Sequence, residues 1–162
     1  MLSFCSQDKA LIDANGRIKL SPRTIIDFKK NGGLNIVLHC LPEGAIAIYP
    51  EQTYIAMRKE EPRQTEKGST SLVQRRVKRR FGALSRSEKI TAQGRITIPA
   101  PYREYANLGP GKSAIMVGCE IGVEIWNAEN WTKELEKINA HFNEKGENEM
   151  LADLISEHSN CD

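Results

Sequence analysis

Two arginines, Arg17 and Arg95, each follow a glycine in closely similar lines. These are Asp13-Ala14-Asn15-Gly16-Arg17-Ile18-Lys19-Leu20 and Thr91-Ala92-Gln93-Gly94-Arg95-Ile96-Thr97-Ile98. A guanidinium beside a turn can hydrogen-bond a phosphate or pair with both acceptors of a guanine edge. Gly16 and Gly94 allow the left-handed backbone that short hairpin loops need, and a close approach to a polyanion. Asp13 would be repelled by DNA; its chemistry suits bracing the loop by accepting hydrogen bonds from it. Lys19, Arg23 and Arg103 lie within a few residues of these lines and are candidates for further phosphate contacts. For one copy alone, a solvated arginine at an ordinary hairpin is the simpler reading. Its recurrence in both copies, beside a basic segment, favours a nucleic-acid role for Arg17 and Arg95. Base contact is expected of Arg17, whose loop Asp13 can brace, and a phosphate-weighted role of Arg95 beside Thr91.

The charge distribution agrees with a polyanion-binding face. The 162-residue chain has a formal net charge of only +2. Yet Arg75, Arg76, Lys78, Arg79, Arg80, Arg86, Lys89, Arg95 and Arg103 stand against Glu88 alone between Leu72 and Arg103, and acidic residues dominate after Cys119. Not all of Arg75–Arg80 can face DNA: on a helix, Arg75 and Arg79 share one face and Arg76 and Arg80 another. Pairing with the acidic C-terminal segment, or a solvated face between subunits, stays equally open for them.

Catalysis finds no support. His39, His141 and His158 accompany no nucleophile motif, and the chain has neither a P-loop nor a dinucleotide fingerprint. Cys5, Cys40, Cys119 and Cys161 are scattered without a Cys-x-x-Cys pair, a spacing poor for zinc and for a disulfide framework. Cys40 and Cys119 hold similar places near a strand end, which points to shared packing. A non-enzymatic protein without metal or cofactor is expected. The N-terminus lacks the basic start and apolar stretch of a signal peptide, and no apolar run reaches membrane-spanning length. The expectation is a cytosolic protein with reduced thiols and no membrane partner.

The two glycine–arginine lines belong to a longer internal repeat. Downstream, Ala45-Ile46-Ala47-Ile48-Tyr49 aligns with Gly122-Val123-Glu124-Ile125-Trp126 at an offset one residue shorter, and Tyr54 falls on Trp131. Each copy predicts a strand, the glycine turn, and a second strand alternating as Ile18, Leu20 or Ile96, Ile98. A short helix follows, opened by Ser21-Pro22 and stopped at Gly32-Gly33, or running Pro99–Ala106. Two further strands complete each copy: Leu34–Cys40 with Ala45–Tyr49, and Ser113–Val117 with Val123–Trp126. Arg58–Ser71 reads as a polar loop and Leu72–Ala83 as a basic helix. Each copy then runs into a helix; Asn127 can cap the second, with Trp131, Leu135, Ile138 and Phe142 as an apolar stripe, before an acidic tail from Asn143 with a helical turn or two around Met150–Ile155.

In this arrangement the chain resembles the MraZ family, regulators of the bacterial division and cell-wall gene cluster. The resemblance rests on Leu11-Ile12-Asp13-Ala14-Asn15-Gly16-Arg17, on Ile90-Thr91-Ala92-Gln93-Gly94-Arg95-Ile96-Thr97-Ile98-Pro99, on Arg79-Arg80-Phe81 ahead of the second copy and on Val123-Glu124-Ile125-Trp126 ending it. It departs where Thr91 replaces the usual acid, Ile25 occupies the place of Arg103, and Ser21 replaces a proline. The first copy is the more degenerate. The resemblance implies an α+β fold in which two swapped-hairpin (SpoVT-AbrB-like) repeats form one pseudo-two-fold β-barrel core with flanking helices. The repeats would span residues 7–54 and 85–131, with the polar linker and basic helix at 55–84 and a C-terminal helix and acidic tail at 132–162. It also implies a ring-like homo-oligomer, cytoplasmic and nucleoid-associated, binding double-stranded DNA with repeated boxes as a sequence-specific regulator, most often a repressor. Two other readings stand beside it: an AbrB-type transition-state regulator, and a protein-interaction module that kept the fold and lost DNA binding.

Overall fold

The computed structural model describes residues 2–60 and 71–159. In chain order the first copy contributes β1 (Gln7–Ala10), β2 (Arg17–Lys19), α1 (Pro22–Lys30), β3 (Asn35–Cys40), β4 (Ile46–Pro50) and α2 (Glu51–Glu60). After α3 (Leu72–Ala83) come β5 (Ser85–Lys89), β6 (Arg95–Thr97), α4 (Ala100–Tyr105), β7 (Ala114–Gly118), β8 (Val123–Asn127) and α5 (Ala128–Ser159). Local chemistry accounts for most boundaries. The Ser21 hydroxyl accepts from the Thr24 amide at 3.2 Å and Pro22 fills the first turn of α1. Ser71 and Gln74 close a reciprocal capping box at the start of α3.

The fold is α+β. Six strands form one antiparallel sheet in the order β1-β7-β8-β4-β3-β5, and β2 pairs with β6 in a separate two-stranded ribbon. The ladders therefore do not close into the barrel that was expected: β1 and β5 are the edges of an open sheet. The reason is local, since β2 and β6 are three residues long and spend their ladder on each other. Strands at matching places in the two copies pair in matching ways. β1 lies on β7 and β5 on β3, each across the copies, while β4 meets β8. The inward residues of these strands make one core, with Ile18, Leu20, Ile36, Leu38, Ile46, Ile48, Ile96, Ile98 and Ile125 at most 1% exposed. Each such side chain contributes about 1.5–3 kcal/mol through its removal from water.

The linker expectation needs correction at its start. Arg58, Lys59 and Glu60, read as loop, are the last turn of α2; residues 61–70 of that stretch lie outside the described residues. The helix expected after the first copy is α2, and tertiary contacts hold it in place. Tyr54 OH lies 2.6 Å from Ser85 Oγ, and the Arg58 guanidinium lies 3.5 Å from the centre of the Phe81 ring. His39 stacks on Phe81 at 5.4 Å and its Nδ1 is 2.8 Å from Ser85 Oγ. This His–Ser–Tyr cluster thus bolts β3 and β5 to α2 and α3.

Cys40 and Cys119 behave as packing residues. Burial pushes the Cys40 and Cys119 thiols up to about 11, so both stay protonated at neutral pH.

Residues Met1–Ala128 make one compact unit and Glu129–Asp162 a second. In the second, α5 continues past the expected tail start at Asn143 to Ser159, broken at Gly146 (φ 73°, ψ 159°). Among the described residues, no helix is long and apolar enough to cross a membrane.

Candidate nucleic-acid interface

The β2–β6 ribbon brings together two loops that are far apart in the chain. Its register pairs Arg17 with Thr97, Ile18 with Ile96 and Lys19 with Arg95. Directly opposed residues of an antiparallel pair share a face, and successive residues alternate. Ile18 and Ile96, both 0% exposed, therefore point into the core. Arg17, Lys19, Arg95 and Thr97 form the outer face.

Both loops have the same backbone. The Asp13 amide donates to the Arg17 carbonyl and the Gly16 amide to the Asp13 carbonyl; Thr91, Arg95 and Gly94 repeat this pattern, all at 2.9–3.0 Å. Gly16 and Gly94 adopt φ +75° and +76°, a conformation strained for any residue with a Cβ. Their carbonyls then accept from the far strand, Gly94 from the Leu20 amide and Gly16 from the Ile98 amide, each at 2.8 Å. Every loop is thus fastened to the other copy's strand.

Side-chain bracing differs between the loops. Asp13 Oδ1 accepts from the amides of Asn15 and Arg17 at 2.9 and 3.0 Å, and Oδ2 from Arg17 Nε at 3.0 Å. Thr91 supplies only one such acceptor, its hydroxyl taking the Arg95 amide at 3.1 Å. The Arg17 amide, with the Asn15 amide and the Arg17 guanidinium, holds the Asp13 carboxyl below its ordinary 3.8. A depressed carboxylate contributes loop order that is complete above pH 3.8 and lost as pH falls through the folded-state value. The expected result is that Asp13 titrates below 3.8 in a carboxyl-carbon NMR experiment, with exchange of the Asn15 and Arg17 amides quickening only on that acid limb. The Thr91 loop should show no such limb; equal acid sensitivity of both loops would refute the assignment.

The charges along the ribbon are uneven. At one end Arg17 shares its charge with Asp13, the two side chains being 38% and 40% exposed. At the other end Lys19 stands opposite Arg95, and among the described residues neither side chain has an anionic partner. Like charges directly opposed destabilise a strand pair, and an anion bound between them removes the penalty. Arg17, Lys19 and Arg95 line one shallow depression with Leu11, Ile12 and Asp13.

The remaining sequence candidates, Arg23 and Arg103, do not line that depression. Arg23, exposed on α1, borders a different small cleft with Asp8 and Asp27. Arg103, on α4, is half-buried, and its Nε donates to the Ile98 carbonyl at 3.1 Å. Within the basic helix, Arg80 donates from Nη2 to the Cys40 carbonyl at 2.7 Å and so belongs to the fold. Sequence reasoning missed Thr97, which the repeat aligns with Lys19. It also missed the exposed tip residues Asn15 and Gln93, whose side-chain amides match the two edge atoms of adenine. Among the described residues no cluster of His, Cys, Asp and Glu could hold a metal ion.

Comparison with known proteins agrees with this picture. Residues 87–153 match the family described as "MraZ protein, putative antitoxin-like". A protein named transcriptional regulator MraZ from Corynebacterium jeikeium is 25% identical over 144 residues, covering 89% of this chain and 94% of the relative. Its namesake from Lactiplantibacillus plantarum is 28% identical over 147 residues, covering 90% and 96%. One from Cutibacterium acnes is 37% identical over 89 residues, covering 54% and 58%.

Proposed function

We propose that this chain, which matches the MraZ family over residues 87–153, is a transcriptional regulator that binds double-stranded DNA in a sequence-specific way through the outer face of the β2–β6 ribbon. One observation carries the reading: Arg17, Lys19 and Arg95 share that face, with Lys19 opposed to Arg95 and neither paired with an anionic side chain among the described residues. Such a pair takes phosphates, while Arg17, oriented by Asp13, has the fixed direction that reading a guanine requires. The cross-copy pairing of β1 with β7 and β5 with β3 supports two swapped-hairpin repeats related by a pseudo-two-fold axis, spanning 7–54 and 85–131. The two loops then meet DNA as a pair.

The fuller reading is a cytoplasmic, nucleoid-associated repressor of the division and cell-wall genes, acting as a ring-like homo-oligomer on repeated boxes. Tethered ribbons bind neighbouring boxes at high effective concentration, so DNA with several spaced boxes should bind at least about a hundredfold more tightly than DNA with one. The test is a gel shift with the DNA upstream of the chain's own gene, cut to one box or several, beside light scattering of the free protein. A mass several times 18.2 kDa is expected. A clean monomer at micromolar concentration would exclude the ring, and equal affinity for both DNAs would exclude multivalent recognition.

A further inference from the structure

We infer that Arg103 is a positioning residue for the Asp13–Arg17 loop, its guanidinium being the platform on which Gly16 rests. The inference depends on the DNA-binding reading above and adds the group that sets how one of its arginines is presented.

A Cβ placed on Gly16 would stand 2.7 Å from Arg103 Cζ, 2.9 Å from Nε and 3.0 Å from Nη2. Three atoms of one guanidinium at nearly equal distance describe a plane lying against the loop backbone. That plane is held in place. Arg103 Nε donates to the Ile98 carbonyl at 3.1 Å, and the Ile98 amide donates to the Gly16 carbonyl at 2.8 Å. Arg103, Ile98 and Gly16 thus form a short chain of contacts from α4 through the end of the ribbon to the turn. Gly16 takes a φ of +75°, strained for any residue with a Cβ, and a Cβ there would also push the guanidinium off the loop.

The other loop has a different support. A Cβ on Gly94 would meet the Ile25 side chain, its Cδ1 at 2.5 Å. Ile25 occupies in α1 the place that Arg103 occupies in α4, so each loop rests on the helix of the other copy. An isoleucine offers shape alone. A guanidinium offers a flat face, a directed N–H and a positive charge, and Arg103 lines a second cleft, other than that of Lys19 and Arg95, with Ile12, Asp13 and Ala14. The Arg17 loop is accordingly braced from within by Asp13 and from beneath by Arg103. The Arg95 loop has Thr91 and Ile25 in those places.

The test uses the full chain with the duplex upstream of its own gene and a scrambled duplex of equal length. Arg103→Ile is the first variant, because Ile25 shows that isoleucine fits under such a glycine; Arg103→Lys is the second. Both should lower the preference for specific over scrambled DNA by about fivefold or more, with the salt slope unchanged. The loss should vanish in an Arg17→Ala background and persist in full with Arg95→Ala, since only the first removes what Arg103 positions. A salt slope lower by about one in Arg103→Ile, restored by lysine, would make Arg103 a phosphate contact and overturn the inference. Equal losses in both arginine backgrounds would overturn it too, by making Arg103 a general support of the fold. If Arg17→Ala and Arg95→Ala, still folded, bind like the parent, the DNA-binding reading itself falls, whatever Arg103 does.

Discussion

The double variant Arg17→Ala/Arg95→Ala is expected to lose specific DNA binding while keeping its fold. An arginine that reads a guanine costs about 1–3 kcal/mol when removed and relaxes specificity at one base pair. An arginine on a phosphate weakens all sequences alike and lowers the salt slope by about one. Arg17, oriented by the Asp13 carboxylate at 3.0 Å, should show the first signature, and Arg95, opposed to Lys19, the second. Neither contributes much to stability. Both project from the outer face of the ribbon, and the Arg17–Asp13 pair is exposed enough for solvent to screen it. Removing Arg95 also relieves its repulsion by Lys19. Salt titration of each single variant on specific and scrambled duplexes separates the two roles, with thermal melting as the control. Should the folded double variant bind like the parent, the ribbon is not the interface, and the basic face of α3 becomes the next candidate.

The inner face of the same ribbon should behave in the opposite way. Ile96→Ala is expected to destabilise the protein by about 2–5 kcal/mol, because it deletes a wholly buried side chain from a site that can collapse only partly. Ile96 stands directly opposite Ile18, so the cavity opens where the two copies meet. Ile96→Val should cost only about 0.5–1.5 kcal/mol. Urea unfolding with linear extrapolation measures both. A cost below about 1 kcal/mol for the alanine variant would mean that the ribbon does not share the core. Two residues adjacent in sequence, Arg95 and Ile96, are thus predicted to separate binding from stability almost completely, because strand alternation sends them to opposite faces.

The sequence by itself determined the local elements and the chemistry at their ends. The basic segment Leu72–Ala83 reads as a helix, and those are the bounds of α3 in the structure. Gly16 and Gly94 mark turns because only glycine takes their positive φ cheaply, and the alternation of Ile18 and Leu20 with Ile96 and Ile98 marks the buried face. The Asp13 hydrogen bonds are equally local, lying two and four residues away. What only the tertiary structure decided is which elements meet. Nothing within three residues of Lys19 names Arg95 as its partner; that pairing follows from burying Ile18 against Ile96 and from β1 and β5 each pairing across the copies. The same long-range packing fastens α2 through Tyr54 and Arg58 and draws Arg80 to the Cys40 carbonyl. It also turns Arg103 inward beneath Gly16, although its type and neighbours read as a phosphate contact. Propensity and capping act over one or two turns of chain, whereas burial and strand pairing act between segments that composition does not connect.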